Sequence, residues 1–593
     1  MSAPAFRNPQ GGLVDRATTL DFSFDGRRYA GHPGDTLASA LVANGVRLVG
    51  RSFKYHRPRG ILSAGPEEPN ALVELRAGAR REPNTRATTA ELYDGLVARS
   101  QNRWPSLAFD VMAVNQLAAP MLTAGFYYKT FMWPASFWEK LYEPLIRRAA
   151  GLGRGAESPD PDIYEKATLH CDVLVIGGGP AGLAAALAAS RGGARVVLAD
   201  EDFRFGGRLL AETHEIDGMP GAAWADQAVA TLAAMPEVRL LSRTTVFGVY
   251  DHGAYGAVER VSDHLAVPQP FEPRQRMWRI VARRAVLAAG AIERPLVFGD
   301  NDRPGVMLAG AARAYANRFA ARPGSTAVVF ATHDDGGRTV ADLAAAGVSV
   351  AALVDARPEV SSLVREAAEA AGARLYVDAA VTRAHGRGAV QAVDIRTASF
   401  STTLDCDLVC MAGGWSPTLH LTSHLGGRPA WDPDSQAFLP GALPPGLQVA
   451  GAAAGTFGLR EILVEATYAG VEAVTAAGFP GTGVEAPQAE REAMDGVALW
   501  RVRDHKGKAF VDFQNDVTDS DIVQAEREAF RSVEHMKRYT TLGMATDQGK
   551  TSSVNAVGIL AEATGKPIRD TGTTTFRPPY TPVAIGALAG HHR

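Results

Sequence analysis

The residues best placed to do chemistry lie in Cys171-Asp-Val-Leu-Val-Ile-Gly177-Gly-Gly179-Pro-Ala-Gly182, followed by an alanine-rich run and then Arg195-Val-Val-Leu-Ala-Asp200-Glu201. Glycines at this spacing, between an apolar run and a helix-forming run, suit the binding of a pyrophosphate. Gly177 permits the tight turn, Gly179 lets the backbone approach the phosphates, and Gly182 lets the helix pack against its strand. A helix over about 180–190 starts at these glycines, so its free amides and its dipole face phosphate oxygens. The second strand ends in Asp200 and Glu201, 18 and 19 residues past Gly182. An acid there meets ribose hydroxyls and disfavours a 2′-phosphate. The pattern predicts an adenine dinucleotide held by Gly177, Gly179, Ala181, Gly182, Asp200 and Glu201. Gly207, Arg208, Val246, Gly290, Gly451, Thr456 and Phe457 are further candidate cofactor contacts.

Several elements must position that turn. Val173–Ile176 has the continuous apolar character of a buried parallel strand. Ala285-Val-Leu-Ala-Ala-Gly290 is a strand ending in a close backbone turn, and Leu447-Gln-Val-Ala-Gly451 is a closing strand. In FAD enzymes of the glutathione-reductase type, the closing strand ends in Gly-Asp and the aspartate binds the ribityl chain; here Ala452 follows Gly451. The adenosine half of the site is intact and the flavin half lacks its polar anchor, so NAD is the favoured ligand and FAD the second choice. A degraded second unit runs through strand 327–330, helix 338–346 and strand 348–354. Its turn is Ala331-Thr-His333-Asp-Asp-Gly336, where Asp334 and Asp335 would set negative charge beside any phosphate.

Composition narrows the remaining choices. A net charge of −3 over 593 residues gives no electrostatic case for nucleic acid. No apolar run approaches membrane-span length, and the N-terminus lacks a secretory apolar core, so a cytoplasmic location is expected. The aromatic stretch 117–145 is interrupted by Lys129, Pro134, Glu139, Lys140 and Glu143, and is expected to be core or subunit contact. The Cys406–Cys410 spacing lies in an apolar strand, which suits buried thiols rather than a redox pair. His420 and His424 have helical metal-ligand spacing but no third ligand nearby, so no metal site is expected. No self-contained catalytic motif is present.

These features predict a multidomain α/β chain. Residues 1–100 form a β-grasp, ferredoxin-like domain, with a helix over 36–44 capped by Asp35. Residues 101–165 form a helical aromatic connector. A discontinuous dinucleotide domain covers 166–320 and 401–485, with a degenerate Rossmann-like insert at 321–400, giving a glutathione-reductase-like two-dinucleotide-domain fold. Residues 490–593 form a small mixed helical domain with one amphipathic helix over 519–537.

Five stretches carry a family resemblance: Gly50-Arg-Ser-Phe-Lys-Tyr-His-Arg-Pro-Arg-Gly60, Asp172–Gly182, Asp302-Arg-Pro-Gly-Val306, Gly455-Thr-Phe-Gly-Leu-Arg-Glu-Ile-Leu463, and Thr571-Gly-Thr-Thr-Thr-Phe-Arg-Pro-Pro-Tyr-Thr-Pro582. With these the chain resembles the α subunit of bacterial heterotetrameric sarcosine oxidase, and more distantly the large subunits of opine and cyanide-forming dehydrogenases. The resemblance implies NAD⁺ in the dinucleotide fold, consistent with Ala452. It implies substrate oxidation at FAD in a separate β subunit, FMN between α and β, and γ and δ subunits beside them. The product set it implies is glycine, formaldehyde and hydrogen peroxide. A folate-binding, aminomethyltransferase-like domain normally follows the last motif. The chain stops eleven residues after Pro582 and so lacks that domain; the expectation is that the domain is a separate polypeptide or that the chain is truncated.

Two domains of relatives hold iron–sulfur clusters through cysteines. Residues 1–170 contain no cysteine, and Asp512, Gln514, Asp547 and Ser552 stand where the C-terminal domain of relatives has them. The expectation is that no Fe–S cluster is present. The loop 543–553 offers Gln548, Gly549, Lys550 and Thr551, either as a polar turn or, as the family position of FMN implies, as a contact to that flavin. The alternative class is a free-standing FAD/NAD(P)H oxidoreductase without redox cysteines, against which Asp334, Asp335 and Ala452 argue.

Overall fold

The computed structural model describes residues 4–481 and 483–589. The chain divides into two compact units, each assembled from three segments: 1–161, 293–414 and 495–574 in one, and 162–292, 415–494 and 575–593 in the other.

The second of these units is built on a seven-stranded sheet. Its strands run in the order Val238–Leu241, Val196–Ala199, Tyr164–Ile176, Gln275–Leu287, Ala254–Arg260 and Thr244–Tyr250, with Leu447–Val449 paired in parallel to Gln275–Leu287. The two 13-residue strands are apolar and buried at one end and amphipathic at the other. Helix Pro180–Ser190 is buried along nearly its whole length and packs against helix Leu459–Ala476. That contact depends on Gly470, where a Cβ would come within 2.3 Å of the Ala185 carbonyl oxygen.

The other unit contains three folded parts. A five-stranded sheet, ordered Arg27–Gly31, Leu20–Phe24, Leu96–Ser100, Leu72–Leu75 and Glu82–Arg86, packs with helix Leu37–Ala43. The helix is capped by Thr36, whose hydroxyl accepts from the Ser39 amide at 3.1 Å, and not by Asp35. Asp35 instead accepts from the Ser39 hydroxyl at 2.6 Å and pairs with Arg7.

A second, all-parallel sheet runs Val306–Leu308, Leu408–Ala412, Thr326–Ala331, Ser349–Asp355 and Arg374–Tyr376. Strand Leu408–Ala412 pairs with both Val306–Leu308 and Thr326–Ala331. The insert therefore takes in more chain than the 321–400 drawn from sequence. An apolar strand does not announce which sheet it joins, since either partner would bury it equally well.

The C-terminal part has a hairpin, Phe510–Asp512 with Val517–Thr518, followed by helices. The single helix expected over 519–537 is two, Asp519–Arg527 and Val533–Thr540. Ala529 takes φ +71°, and Ser532 starts the second helix by accepting from the His535 amide at 3.2 Å. Residues 101–161 form short helical turns, and among their aromatic side chains Trp104, Phe109, Tyr128, Trp133 and Phe137 are exposed, Trp133 by 83 %. Phe126 is buried, so the core reading holds there and not for the exposed rings. No helix among the described residues is long and apolar enough to cross a membrane.

Candidate dinucleotide site

Strand Tyr164–Ile176 delivers the chain to Gly177, which adopts φ +101°, a conformation open to glycine at no steric cost. A Cβ on Gly182 would lie 1.7 Å from the Gly177 carbonyl oxygen, so only glycine lets helix and turn close. Gly179 differs. A Cβ there would meet nothing nearer than Gly207 Cα at 3.7 Å, ordinary contact. The protein itself does not require glycine at 179; the absent side chain leaves the turn open on its outer face. Helix Pro180–Ser190 has no side-chain cap, so its first amides remain available to an anion.

The other predicted residues of this unit gather around that turn. Gly207 lies against Gly179, Ala181 against Gly451, and the Thr456 amide donates to the Gly451 carbonyl at 3.2 Å. The Arg208 guanidinium donates to the Phe457 carbonyl at 2.8 Å, joining the 206–210 turn to the 455–458 turn. Gly290 follows Ala288 and Ala289, which flank Gly177, and its carbonyl accepts from the Thr418 amide at 3.0 Å. Val246 is buried in strand Thr244–Tyr250.

Asp200 and Glu201 have separate roles in this geometry. The Asp200 carboxylate turns inward and accepts from the Gly178 amide, and from the Asp202 amide at 2.7 Å. Burial and the neighbouring Asp202 and Glu201 charges push its carboxyl up to about 7, against the pull of those amides. Asp200 thus shapes the glycine turn. Glu201 is half-buried beside Thr245, whose hydroxyl donates to it at 3.5 Å.

Sequence reasoning missed Glu212, His214 and Glu492. Arg208 donates to Glu212 at 2.7 Å and to Glu492 at 3.0 Å, and His214 Nε2 lies 2.9 Å from Glu492. Their ligand atoms are close enough together to suit a metal, but Arg208 already pairs with both carboxylates, and the group fixes Arg208 beside Gly207. Glu492 lies in a segment without motif or periodicity, so no local signal could have found it. His424 accepts from the Val249 amide at 3.3 Å and burial pushes it down to about 4, while His420 stacks on Tyr580 at 4.0 Å. Neither ring is directed to a shared ligand.

The degraded turn of the other unit is filled from within. Asp334 pairs with Arg357 at 2.9 Å; Asp335 pairs with Arg338 at 2.6 Å and lies 3.4 Å from His333. These charges, which the sequence reading makes hostile to a phosphate, are buried and paired with arginines. Also in that unit, Gln548 donates to the Ala545 carbonyl at 2.6 Å. The Gly549 amide donates to Asp547 at 2.9 Å and the Lys550 ammonium to the Asp547 carbonyl at 3.2 Å. Thr551 is buried. The loop is thus held largely by its own groups.

Three family models match the chain: "Sarcosine oxidase A3 domain" over residues 506–591, "2Fe-2S iron-sulfur cluster binding domain" over 17–103, and "Pyridine nucleotide-disulphide oxidoreductase" over 171–428. The sarcosine oxidase alpha subunit of Rhizobium meliloti (strain 1021) is 55 % identical over 593 residues, covering 99 % of this chain. The chain belongs to the sarcosine oxidase alpha-subunit family. The same-named protein of Corynebacterium sp. (strain P-1) is 41 % identical, covering 100 % of the chain. The chain spans 59 % and 58 % of these relatives' lengths. An opine oxidase subunit of Rhizobium meliloti (strain 1021) is 24 % identical, covering 70 % of the chain and 98 % of its own length. Among solved structures, L-proline dehydrogenase from P. horikoshii shares the fold, with TM-score 0.68 at 19 % identity, covering 98 % of this chain and 100 % of that one.

One cofactor expectation is overturned. The sequence predicts a chain without an iron–sulfur cluster, yet residues 17–103 match the 2Fe-2S cluster-binding model, which assigns the N-terminal sheet domain to a cluster-binding family. The matched segment contains no cysteine, so its side chains offer iron no thiolate.

Proposed function

We propose that this chain serves as the α subunit of a multisubunit flavoenzyme that oxidises sarcosine, or a related N-methyl or secondary amino acid, to glycine, formaldehyde and hydrogen peroxide. In this reading β, γ and δ subunits complete the complex and substrate oxidation occurs outside this chain. Bound NAD⁺ would lie across Gly177–Gly182, with the uncapped amides of helix Pro180–Ser190 toward the pyrophosphate and Glu201 toward the adenosine ribose. Gly451, Ala452 and Thr456 would border its far half, where the missing carboxylate disfavours a ribityl chain. FMN would be shared with a β subunit near Gln548–Thr551, supplying one- and two-electron chemistry when bound.

The observation that supports this reading most directly is the open face at Gly179, in a turn whose other glycines are required by packing. The test is cofactor extraction from the purified chain. NAD⁺ near one equivalent with little FAD is expected, and Gly179→Leu should lose the nucleotide while keeping its thermal transition. Stoichiometric FAD from the isolated chain would sink the assignment.

A further inference from the structure

The segment Gly50–Gly60 carries five basic side chains, and four of them are matched by oxygen. Arg51 donates to the Leu107 carbonyl at 3.0 Å, and His56 lies 2.7 Å from Asp110. Arg57 pairs with Asp302 at 2.6 Å and Asp300 at 2.8 Å, and the fully buried Arg59 pairs with Asp302 and Asp516. Lys54 is the exception. Its side chain is only 7 % exposed, and its ammonium has ring contacts alone, 5.1 Å from the Tyr55 centroid and 5.9 Å from Phe126. Among the described residues it has no ion pair and no side-chain hydrogen bond.

A second cation shares that ring. The Lys508 ammonium lies 4.3 Å from the Tyr55 centroid, likewise without an ion pair among the described residues. Burial pushes Lys508 down, with the Lys54 and Arg57 charges adding to the shift and the Asp521 and Asp516 charges opposing it. The nearby carboxylates are already engaged. Asp516 accepts from the Lys54 and Tyr55 amides at 2.8 and 3.0 Å as well as from Arg59. Asp521 accepts from the Thr518 amide at 2.9 Å and its hydroxyl at 2.8 Å. Two ammonium groups, one of them almost fully withdrawn from water, therefore converge on one aromatic ring; Asp521 and Asp516 act on Lys508 from a distance, and neither forms an ion pair with either lysine among the described residues. A ring face compensates a cation only in part.

We propose that Lys54 and Lys508 form a binding site for a doubly charged phosphate group, with the rings of Tyr55 and Phe126 beside it. Two lysines acting as point charges match a phosphate monoester dianion, whereas a carboxylate would neutralise only one of them. The turn 513–516 ties this site to the 543–551 loop, because Asp516 holds Lys54 while Gln514 accepts from the Asp547 amide at 2.6 Å. The phosphate of FMN is accordingly one source and free phosphate the other. Only the assignment to FMN rests on the function proposed above; the anion site does not.

The test is calorimetric titration of the full chain at low ionic strength, with excess NAD⁺ present to occupy the glycine turn. Inorganic phosphate, FMN and riboflavin are the probes. Phosphate and FMN should bind and riboflavin should bind at least tenfold more weakly than FMN. Lys54→Met and Lys508→Met should each weaken phosphate at least tenfold, and Lys54→Arg should retain it. Lys508 is only half-buried, so Lys508→Met keeps the test valid if Lys54→Met does not fold. Phosphate binding without FMN binding supports the anion site and counts against the flavin reading. No phosphate binding by the unaltered chain, or unchanged affinity in folded Lys508→Met, overturns the proposal.

Discussion

The two βαβ turns of this chain start from the same geometric problem and resolve it in opposite ways. At Gly177–Gly182 a strand passes into a helix through glycines of two kinds: Gly177 and Gly182, which backbone contacts demand, and Gly179, which nothing inside the protein demands. At Ala331–Gly336 only packing glycines survive. A Cβ on Gly336 would meet Ala331 Cβ at 2.4 Å, and one on Gly337 would meet Leu363 at 2.8 Å. The face that would admit a phosphate holds His333, Asp334 and Asp335, closed by Arg357, Arg338 and Arg313. A glycine that no packing contact explains marks a ligand better than the number of glycines does.

The largest effect that would break this comparison is at Gly182. Gly182→Val places atoms on the Gly177 carbonyl, and backbone cannot yield there as a side-chain tip can. The expected outcome is no folded dinucleotide unit, read as loss of soluble protein or of its near-UV dichroism; a stable, folded Gly182→Val would show that the helix packs differently. Next comes Arg357→Met, which leaves the buried Asp334 and Asp355 carboxylates without their cation. A loss of about 3–5 kcal/mol in denaturant unfolding is expected. Adding Asp334→Asn should recover part of it.

The smallest effect is a difference in sign with pH. Asp200 is held up to about 7, above its unfolded value of 3.8, so its contribution is complete in acid and lost as pH rises toward 7. Burial also pushes Asp335 up, but His333, Arg313 and Arg338 outweigh it and hold its carboxyl well below the ordinary range. Its contribution is present above the unfolded value and lost as pH falls through the folded one. Asp200→Asn should flatten the stability profile between pH 4 and 7, by up to about 1.4 kcal/mol per pH unit. Asp335→Asn should flatten it only at lower pH. Profiles of unchanged slope in both variants would mean that neither carboxyl is tuned as described.

Local signals were legible in proportion to how local their cause is. Helix Pro180–Ser190 and the strands flanking it follow from glycine spacing and apolar runs, which act over a few residues. The pairing of Leu408–Ala412 with Val306–Leu308 was not legible, because an all-apolar strand fits any parallel sheet. The break at 528–532 was hidden by a helical pattern that continues on both sides of it. The inward turn of Asp200 was equally hidden, since an acid at a strand end has one sequence and two destinations. Glu492 reaches Arg208 from 284 residues away, and no spacing rule spans that distance.

The three cysteines have a practical consequence. Cys171, Cys406 and Cys410 are buried and unbridged; burial pushes the first two thiols up to about 12 and the third higher still. At neutral pH they present almost no thiolate to an alkylating reagent. The native chain is therefore a blank background for spectroscopy. A single cysteine introduced on the surface takes a maleimide dye or a nitroxide alone, with no native residue to remove first.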